Sequence, residues 1–494
     1  MIDPIPYDLI VIGSGPAGQK AAVQGAKAGK RVALFERERT VGGACVRYGT
    51  IPSKALRERA LEMVHNGTQG KEEPRGNQPS IEIASLLTRV EGVIKAHTIY
   101  MADQIERNGI DRYHGRACFL SDRLIQMMEP TGSTRTFRAE TIVIATGSRP
   151  RLPDHIPVDH ENILDSDSIL SMIYLPRSLT VLGGGVIASE YASIFALLGV
   201  KVTMIDRADR PVRFLDQELT DCFLRVFEKM GGSYIGKKAV REVVWDGLSK
   251  VITTLEDGER IEGEKMLVAL GRQANVADLH IDQAGLEATK RGLLEVDPFC
   301  RTKIPHIYAV GDVIGPPALA STGMEQGRRA VCHALGLDPG APPETIPLGI
   351  FTIPEMASVG ITEEEAHKQY GGALVGRARF DEIARGQISG VTEGLLKMVA
   401  DPEGKRLLGV HIVGEGGTEL IHIGQMGLLA GFEIGSFVDN IFNFPTLAEA
   451  YRVGALDIVK QRQQGLQKPR ASSDESLVNQ NQPVQATVSE PCAC

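Results

Sequence analysis

Gly13-Ser14-Gly15-Pro16-Ala17-Gly18 is followed, 18 positions after its last glycine, by Glu36. Gly183-Gly184-Gly185-Val186-Ile187-Ala188 is followed, at the same interval of 18 from its sixth residue, by Asp206. Residues of these types at this spacing can hold dinucleotides. The first glycine permits a sharp turn, and the second lets a pyrophosphate approach bare backbone. A small residue at the sixth position lets a helix pack close to a strand, and the acid can bind a ribose hydroxyl. The helix that follows each turn presents its positive end to the phosphates. One copy of such a motif is a weak sign. Two copies, each with its acid in place, imply two dinucleotides per chain.

Each cluster needs a strand before it, a helix after it and a second strand that ends on the acid. The chain supplies these in order. Residues 7–12 read as a buried parallel strand, 19–28 as an Ala-rich helix and 31–36 as the next strand. Residues 178–206 repeat the strand, helix and strand. Between the copies, helices are expected over 53–65 and 81–108, a polar loop over 66–79, and strands leading to 141–150. Further strands are expected within 266–272 and 306–312. After the Pro-rich stretch near 340–347 the character changes to strands near 349–360, 395–401 and 407–414, with a helix over 419–430. From Gly465 onward Gln, Ser, Asn and Pro dominate, which reads as a disordered tail.

A chain of 494 residues suggests about three domains. With 43% hydrophobic residues it can form real cores. The net charge of −8 and pI near 5.9 disfavour nucleic acid as the main partner. No apolar run approaches the ~18 residues of a membrane span. The first strand begins so close to Met1 that no signal peptide is expected. Seven cysteines without a C-x-x-C pair fit a reducing cytoplasm, and no metal site is expected.

Residues 42–56, GGACVRYGTIPSKAL, resemble the redox-active loop of the flavin disulfide reductases, the class I pyridine nucleotide-disulfide oxidoreductases. Lipoamide dehydrogenase, glutathione reductase and mercuric reductase belong to that family, and there both loop positions are cysteine. Here they are Cys45 and Thr50. A threonine hydroxyl forms neither a disulfide nor a stable thiolate. The resemblance implies an α/β fold with two Rossmann-like domains, for FAD and for NAD(P), plus a C-terminal α+β dimerisation domain. The expected division is 1–150 and 276–345 for the FAD-binding parts, 151–275 for the NAD(P)-binding domain, 346–464 for the interface domain and 465–494 for the tail.

The resemblance also assigns residues. Gly13, Gly15, Gly18 and Glu36 would hold FAD, with Gly43, Cys45, Thr146, Gly147 and Asp312, the last near the ribityl chain. Gly183, Gly185, Ala188 and Asp206 would hold the nicotinamide nucleotide, and Gly271 belongs to the same binding set. Lys54 and Glu190 match a pair in which the lysine sits near flavin N5 and the glutamate holds it. Asp206 favours NAD, whereas Ala188 with Arg207, Arg210 and Arg213 could admit NADP. In residues 441–450, Pro445, Thr446 and Glu449 match the family's His-Pro-Thr-x-x-Glu segment, but Phe444 stands where the proton-carrying histidine would be.

These two departures bring the resemblance to the soluble transhydrogenase branch of the family, which passes hydride from NADPH to NAD+ through one FAD per chain. NAD(H) and NADP(H) would then be substrates, and the protein a homodimer or larger homo-oligomer. The alternative is a lipoamide dehydrogenase-like or thiol–disulfide reductase that uses Cys45 or the terminal Cys492 and Cys494.

Overall fold

The computed structural model describes residues 3–68 and 83–467. The strand Ile5–Ile12 lies inside its sheet, and every side chain from Leu9 to Ile12 is buried. It pairs in parallel with Val32–Glu36 on one side and Thr134–Ile144 on the other. Asp111–His114 extends the parallel set beyond Val32–Glu36. Ile307–Ala309 joins Thr134–Ile144 in parallel, although more than 160 residues separate them. Leu124–Met128 and Arg116–Phe119 add an antiparallel flap.

A second sheet forms between those two parts. Its order is Ser233–Ile235, Lys201–Ile205, Ser178–Leu182, Lys265–Val268, Ile163–Asp165, and every pair is parallel. The chain leaves the first sheet through Ser148–Pro150 and returns through Arg272–Ala274, and these two strands pair antiparallel. The third unit is an antiparallel sheet in the order Leu348–Ile350, Met356–Gly360, Leu407–Val413, Leu395–Ala400, Leu374–Arg379. The helices Gly417–Leu429 and Glu449–Gln467 pack against it.

The first nucleotide helix is Pro16–Lys27, not 19–28. Gly15 is its N-cap and Pro16 its first residue, where a missing N–H costs nothing. The helix expected over 53–65 runs over Thr50–Thr68, and the next over Ile83–Arg107. Residues 66–68 of the expected polar loop are therefore helical, and 69–79 lie outside the described residues. The last helix continues to Gln467, and so takes in the first three residues of the expected tail. Glutamine is a good helix former, so composition alone placed the tail too early. The rest of the tail, with Cys492 and Cys494, lies outside the described residues.

A buried ionic cluster fastens the second sheet's unit to the third. The Lys397 ammonium is almost fully enclosed and meets Asp216 at 2.8 Å, Glu218 at 2.6 Å and Glu363 at 2.7 Å. Asp216 also caps the helix Gln217–Lys229 by accepting the Glu218 N–H. Removing one partner from such a cluster leaves uncompensated buried charge, a cost of about 3–5 kcal/mol. Lys397→Ala should therefore lower the thermal unfolding midpoint clearly, while a substitution at exposed Lys290 should not. The cluster also sets a pH dependence. Hydrogen bonds from Arg377, and then from Lys397, pull Glu218 down from 4.5 to about 2. A depressed carboxylate stabilises fully above its unfolded value and progressively less as pH falls through its folded one. Stability should thus decline between about pH 4.5 and 2, and Arg377→Gln should flatten that decline in acid-melting curves.

Candidate functional site

The two glycine turns are built alike. Gly13 follows the first strand with φ +105°, and a Cβ there would stand 2.4 Å from the Ala145 carbonyl oxygen. A Cβ on Gly18 would stand 1.9 Å from the Gly13 carbonyl oxygen, so only glycine lets the helix close on the strand. The Gly13 N–H donates to the Phe35 carbonyl at 2.8 Å, and the Gly183 N–H donates to Ile205 at 2.8 Å. Both acids hold the second residue of their turn. Glu36 accepts from the Ser14 N–H at 3.0 Å and the Ser14 hydroxyl at 2.5 Å, and its other oxygen accepts the Glu38 N–H at 2.9 Å. Asp206 accepts from the Gly184 N–H at 2.5 Å and the Ala208 N–H at 2.6 Å.

A cleft of about 1060 Å³ opens from the first turn toward the second. Ten of the expected residues line it: Gly13, Gly15, Glu36, Gly43, Cys45, Lys54, Thr146, Gly147, Glu190 and Asp312. Gly18 lies behind the wall and packs the helix. Gly183, Gly185, Ala188, Asp206 and Gly271 are not on the wall. The helix Val186–Leu197, which begins at the second turn, reaches it through Val186, Ile187, Glu190 and Tyr191. The third unit adds Leu348, Phe351 and His422.

The cleft wall contains polar atoms with no protein partner. Thr146 Oγ1, Asn275 Oδ1 and Tyr191 OH are buried and unsatisfied, although Asn275 Nδ2 donates to the Thr146 carbonyl at 3.0 Å. Buried polar groups ordinarily find a partner, so these three fit a polar ligand such as FAD with a nicotinamide beside it. Asp312 accepts from the Ser148 hydroxyl at 2.6 Å, and Arg272 Nε donates to that hydroxyl at 2.8 Å. Sequence reasoning missed Ser148, Tyr191, Arg272 and Asn275. Tyr191 adjoins Glu190, and the other three sit on or beside the paired crossover strands, which carry no motif.

Lys54 stands in the first turn and a half of Thr50–Thr68. Its ammonium meets both Glu190 carboxylate oxygens, at 2.8 and 2.7 Å. It also lies 4.9 Å from the centre of the Phe351 ring. The buried Glu190 accepts the Phe351 N–H at 2.9 Å. Cys45, on the short helix Gly43–Arg47, interacts with the Thr50 hydroxyl. Burial pushes its thiol up, and the Thr50 hydrogen bond and the Lys54 charge offset this only in part. Phe444 is two-thirds exposed and not on the cleft wall, and His422 Nδ1 lies 2.9 Å from Gln425 Oε1.

The arginines near Asp206 divide. Arg210 donates to the Leu215 carbonyl and the Thr220 hydroxyl, each at 3.0 Å, and to the Arg213 carbonyl at 3.2 Å. Its two terminal nitrogens are thus tied to residues 213, 215 and 220. Arg207 and Arg213 remain exposed.

A family model described as pyridine nucleotide-disulphide oxidoreductase matches residues 7–327, and that family's dimerisation domain matches 346–454. A soluble pyridine nucleotide transhydrogenase of Mycobacterium bovis (strain BCG / Pasteur 1173P2) is 42% identical over 458 residues, covering 92% of this chain and 97% of its own. The protein of the same description from Hahella chejuensis is 41% identical and covers 91% and 98%. Among solved structures, the HOCl-induced flavoprotein disulfide reductase RclA from Escherichia coli superposes with a TM-score of 0.82 at 27% identity, covering 91% and 99%. LpdA from Mycobacterium tuberculosis gives 0.83 at 25% identity, covering 91% and 99%.

Gly18→Ala would drive a methyl group into the Gly13 carbonyl and force the first turn open. The variant should purify colourless where the wild type is yellow, as measured by the ratio of visible flavin to protein absorbance.

Proposed function

The chain belongs to the pyridine nucleotide-disulphide oxidoreductase family, and we propose that within it the protein is a flavin-dependent transhydrogenase. It moves hydride from NADPH to NAD+, giving NADP+ and NADH, without a redox-active disulfide. The observation that carries this reading is that Cys45 and Thr50 stand on one cleft wall, beside the Lys54–Glu190 pair. A thiol opposite a hydroxyl has no partner for two-electron exchange. The names of the relatives support the same reading.

FAD bound in the cleft would supply the two-electron carrier. The protein's part is positioning and electrostatics. Lys54 places a fixed positive charge in the cleft, where it can stabilise charge that develops on hydride transfer. Glu190 fixes the ammonium with both oxygens and ties it to the Phe351 backbone. Burial keeps the Cys45 thiol protonated near neutral pH, so it is a bystander. The overall exchange neither takes up nor releases a proton, so Phe444 in the histidine position removes nothing the reaction needs. With one nicotinamide motif per chain, the two nucleotides take turns in one pocket, which gives ping-pong kinetics. The proposal extends to a homodimer in the cytoplasm, and the match to a dimerisation domain supports the assembly.

Transfer from NADPH to a thio-NAD+ analogue tests this, with a lipoyl disulfide as the competing acceptor. Cys45→Ser should keep most of the transfer. Lys54→Ala should lose one to three orders of magnitude, or about 1.4–4 kcal/mol of transition-state stabilisation. Efficient disulfide reduction that disappears in Cys45→Ser would overturn the proposal in favour of a thiol–disulfide reductase.

A further inference from the structure

The backbone around Asp206, the acid of the second glycine motif, is strained at two side-chain-bearing residues, Lys237 and Val212. The chain leaves the strand Ser233–Ile235 through Gly236, Lys237 and Lys238. Lys237 has φ +58°, in the left-handed region that glycine enters freely and a lysine enters only at a cost. The turn is held against the acid of the glycine motif. The Lys237 N–H donates to the Ala208 carbonyl at 3.0 Å, the Lys238 N–H to the Asp206 carbonyl at 3.1 Å, and the Asp206 N–H to Ile235 at 3.1 Å. A Cβ on Gly236 would lie 2.8 Å from the Ala208 oxygen and 2.9 Å from the Asp209 oxygen. Residues 206–209 and 236–238 therefore form one wall, with Asp206 and Lys237 both on it. Val212, a β-branched residue at φ +41°, closes the other side by donating its N–H to the Gly184 carbonyl at 2.7 Å. Strained side-chain-bearing residues gathered around a binding turn point to function.

The neighbouring lysines behave differently. Lys238 is paired with Asp257 and, at 3.5 Å, with Glu259. Lys237 is exposed and makes no side-chain hydrogen bond or ion pair among the described residues. Nothing in the fold uses its ammonium, and a glycine would form the turn with less strain.

We propose that Lys237 is a specificity-determining residue for the 2′-phosphorylated nucleotide. Its ammonium pairs with the 2′-phosphate of NADP(H), and Asp206 serves the free 2′-hydroxyl of NAD(H). This rests on the transhydrogenase reading, in which one pocket accepts both nucleotides in turn. The carboxylate of Asp206 suits a ribose hydroxyl and repels a phosphate. A phosphate brings up to two negative charges, so a cation must offset Asp206 in one half of the cycle and leave the site undisturbed in the other. A lysine does this well, because it is a point charge on a flexible stem that needs no partner when exposed.

The test compares wild-type holoenzyme with Lys237→Gln, Lys237→Gly and Lys237→Arg. KM is measured for NADPH and for NADH, and competition is measured with 2′,5′-ADP and with 5′-ADP. Lys237→Gln and Lys237→Gly should raise the NADPH KM and the 2′,5′-ADP inhibition constant about tenfold and leave the NADH and 5′-ADP values unchanged. Lys237→Arg should preserve the wild-type pattern. Lys237→Gly also relieves the strained φ, so its thermal midpoint should match or exceed that of the wild type, which separates lost recognition from lost folding. Equal changes for both nucleotides, or no change for either, would overturn the inference. A wild type that transfers no hydride between the nucleotides would overturn the transhydrogenase reading instead. The preference for 2′,5′-ADP over 5′-ADP, and its dependence on Lys237, is still measured in that case by ligand binding.

Discussion

One buried carboxylate holds the reacting region together. Glu190 lies on the helix that begins at the second glycine turn, takes Lys54 from the helix that follows the Cys45 loop, and takes the Phe351 N–H from the third unit. Three stretches of chain, far apart in sequence, thus meet on two oxygen atoms. A charge so enclosed is tolerable only when it is fully paired, so the arrangement is exacting. The position of the ammonium in the cleft follows from it, and so does the angle at which the second nucleotide helix faces the first turn. The crossover strands Ser148–Pro150 and Arg272–Ala274 serve the same end, because Arg272 and Ser148 carry the restraint through to Asp312.

The two nucleotide turns share a plan, and their chemistry differs in the surroundings. The first opens into the cleft beside Gly43, Cys45 and Lys54. The second stands outside the cleft wall and sends a helix into it, so a nicotinamide nucleotide would reach the cleft along that helix. The substitutions at positions 50 and 444 form a consistent set. In the proposed reaction the loop carries no dithiol to protonate, and without one there is no work for a proton-carrying histidine.

Much of this was legible in the sequence because it rests on local rules. The spacing of glycines and acids gave both turns, since strand, helix and strand lengths are narrowly fixed in such a unit. The Lys54–Glu190 pair was legible only through resemblance, because 136 positions separate the two residues. What the sequence hid was set by tertiary context. Arg210 stands among three exposed-looking cations in the sequence, yet its guanidinium ties its loop to Thr220 on the next helix. Asn275 and Tyr191 carry no motif, and their importance shows only in their unsatisfied buried atoms. The left-handed conformation of Lys237 is invisible in the sequence, because a lysine there argues for the opposite.

The ionic contacts between units bear on how the single pocket proposed above would serve two nucleotides. Arg57 is fully buried, donates to the Thr352 carbonyl at 3.1 Å, and meets Glu355 and Glu415 at 3.3 Å each, which fastens the first unit to the third. Lys397 and its three carboxylates fasten the second unit to the third. Swinging the units apart for the exchange of NADP+ and NAD+ would break these ionic contacts in every cycle. A rigid frame is the cheaper arrangement, and then the difference of one phosphate must be absorbed by side chains that move alone. Exposed cations on long stems at the rim of the second turn meet that requirement, whereas the glycine turns and the Lys54–Glu190 pair, locked by backbone and burial, do not.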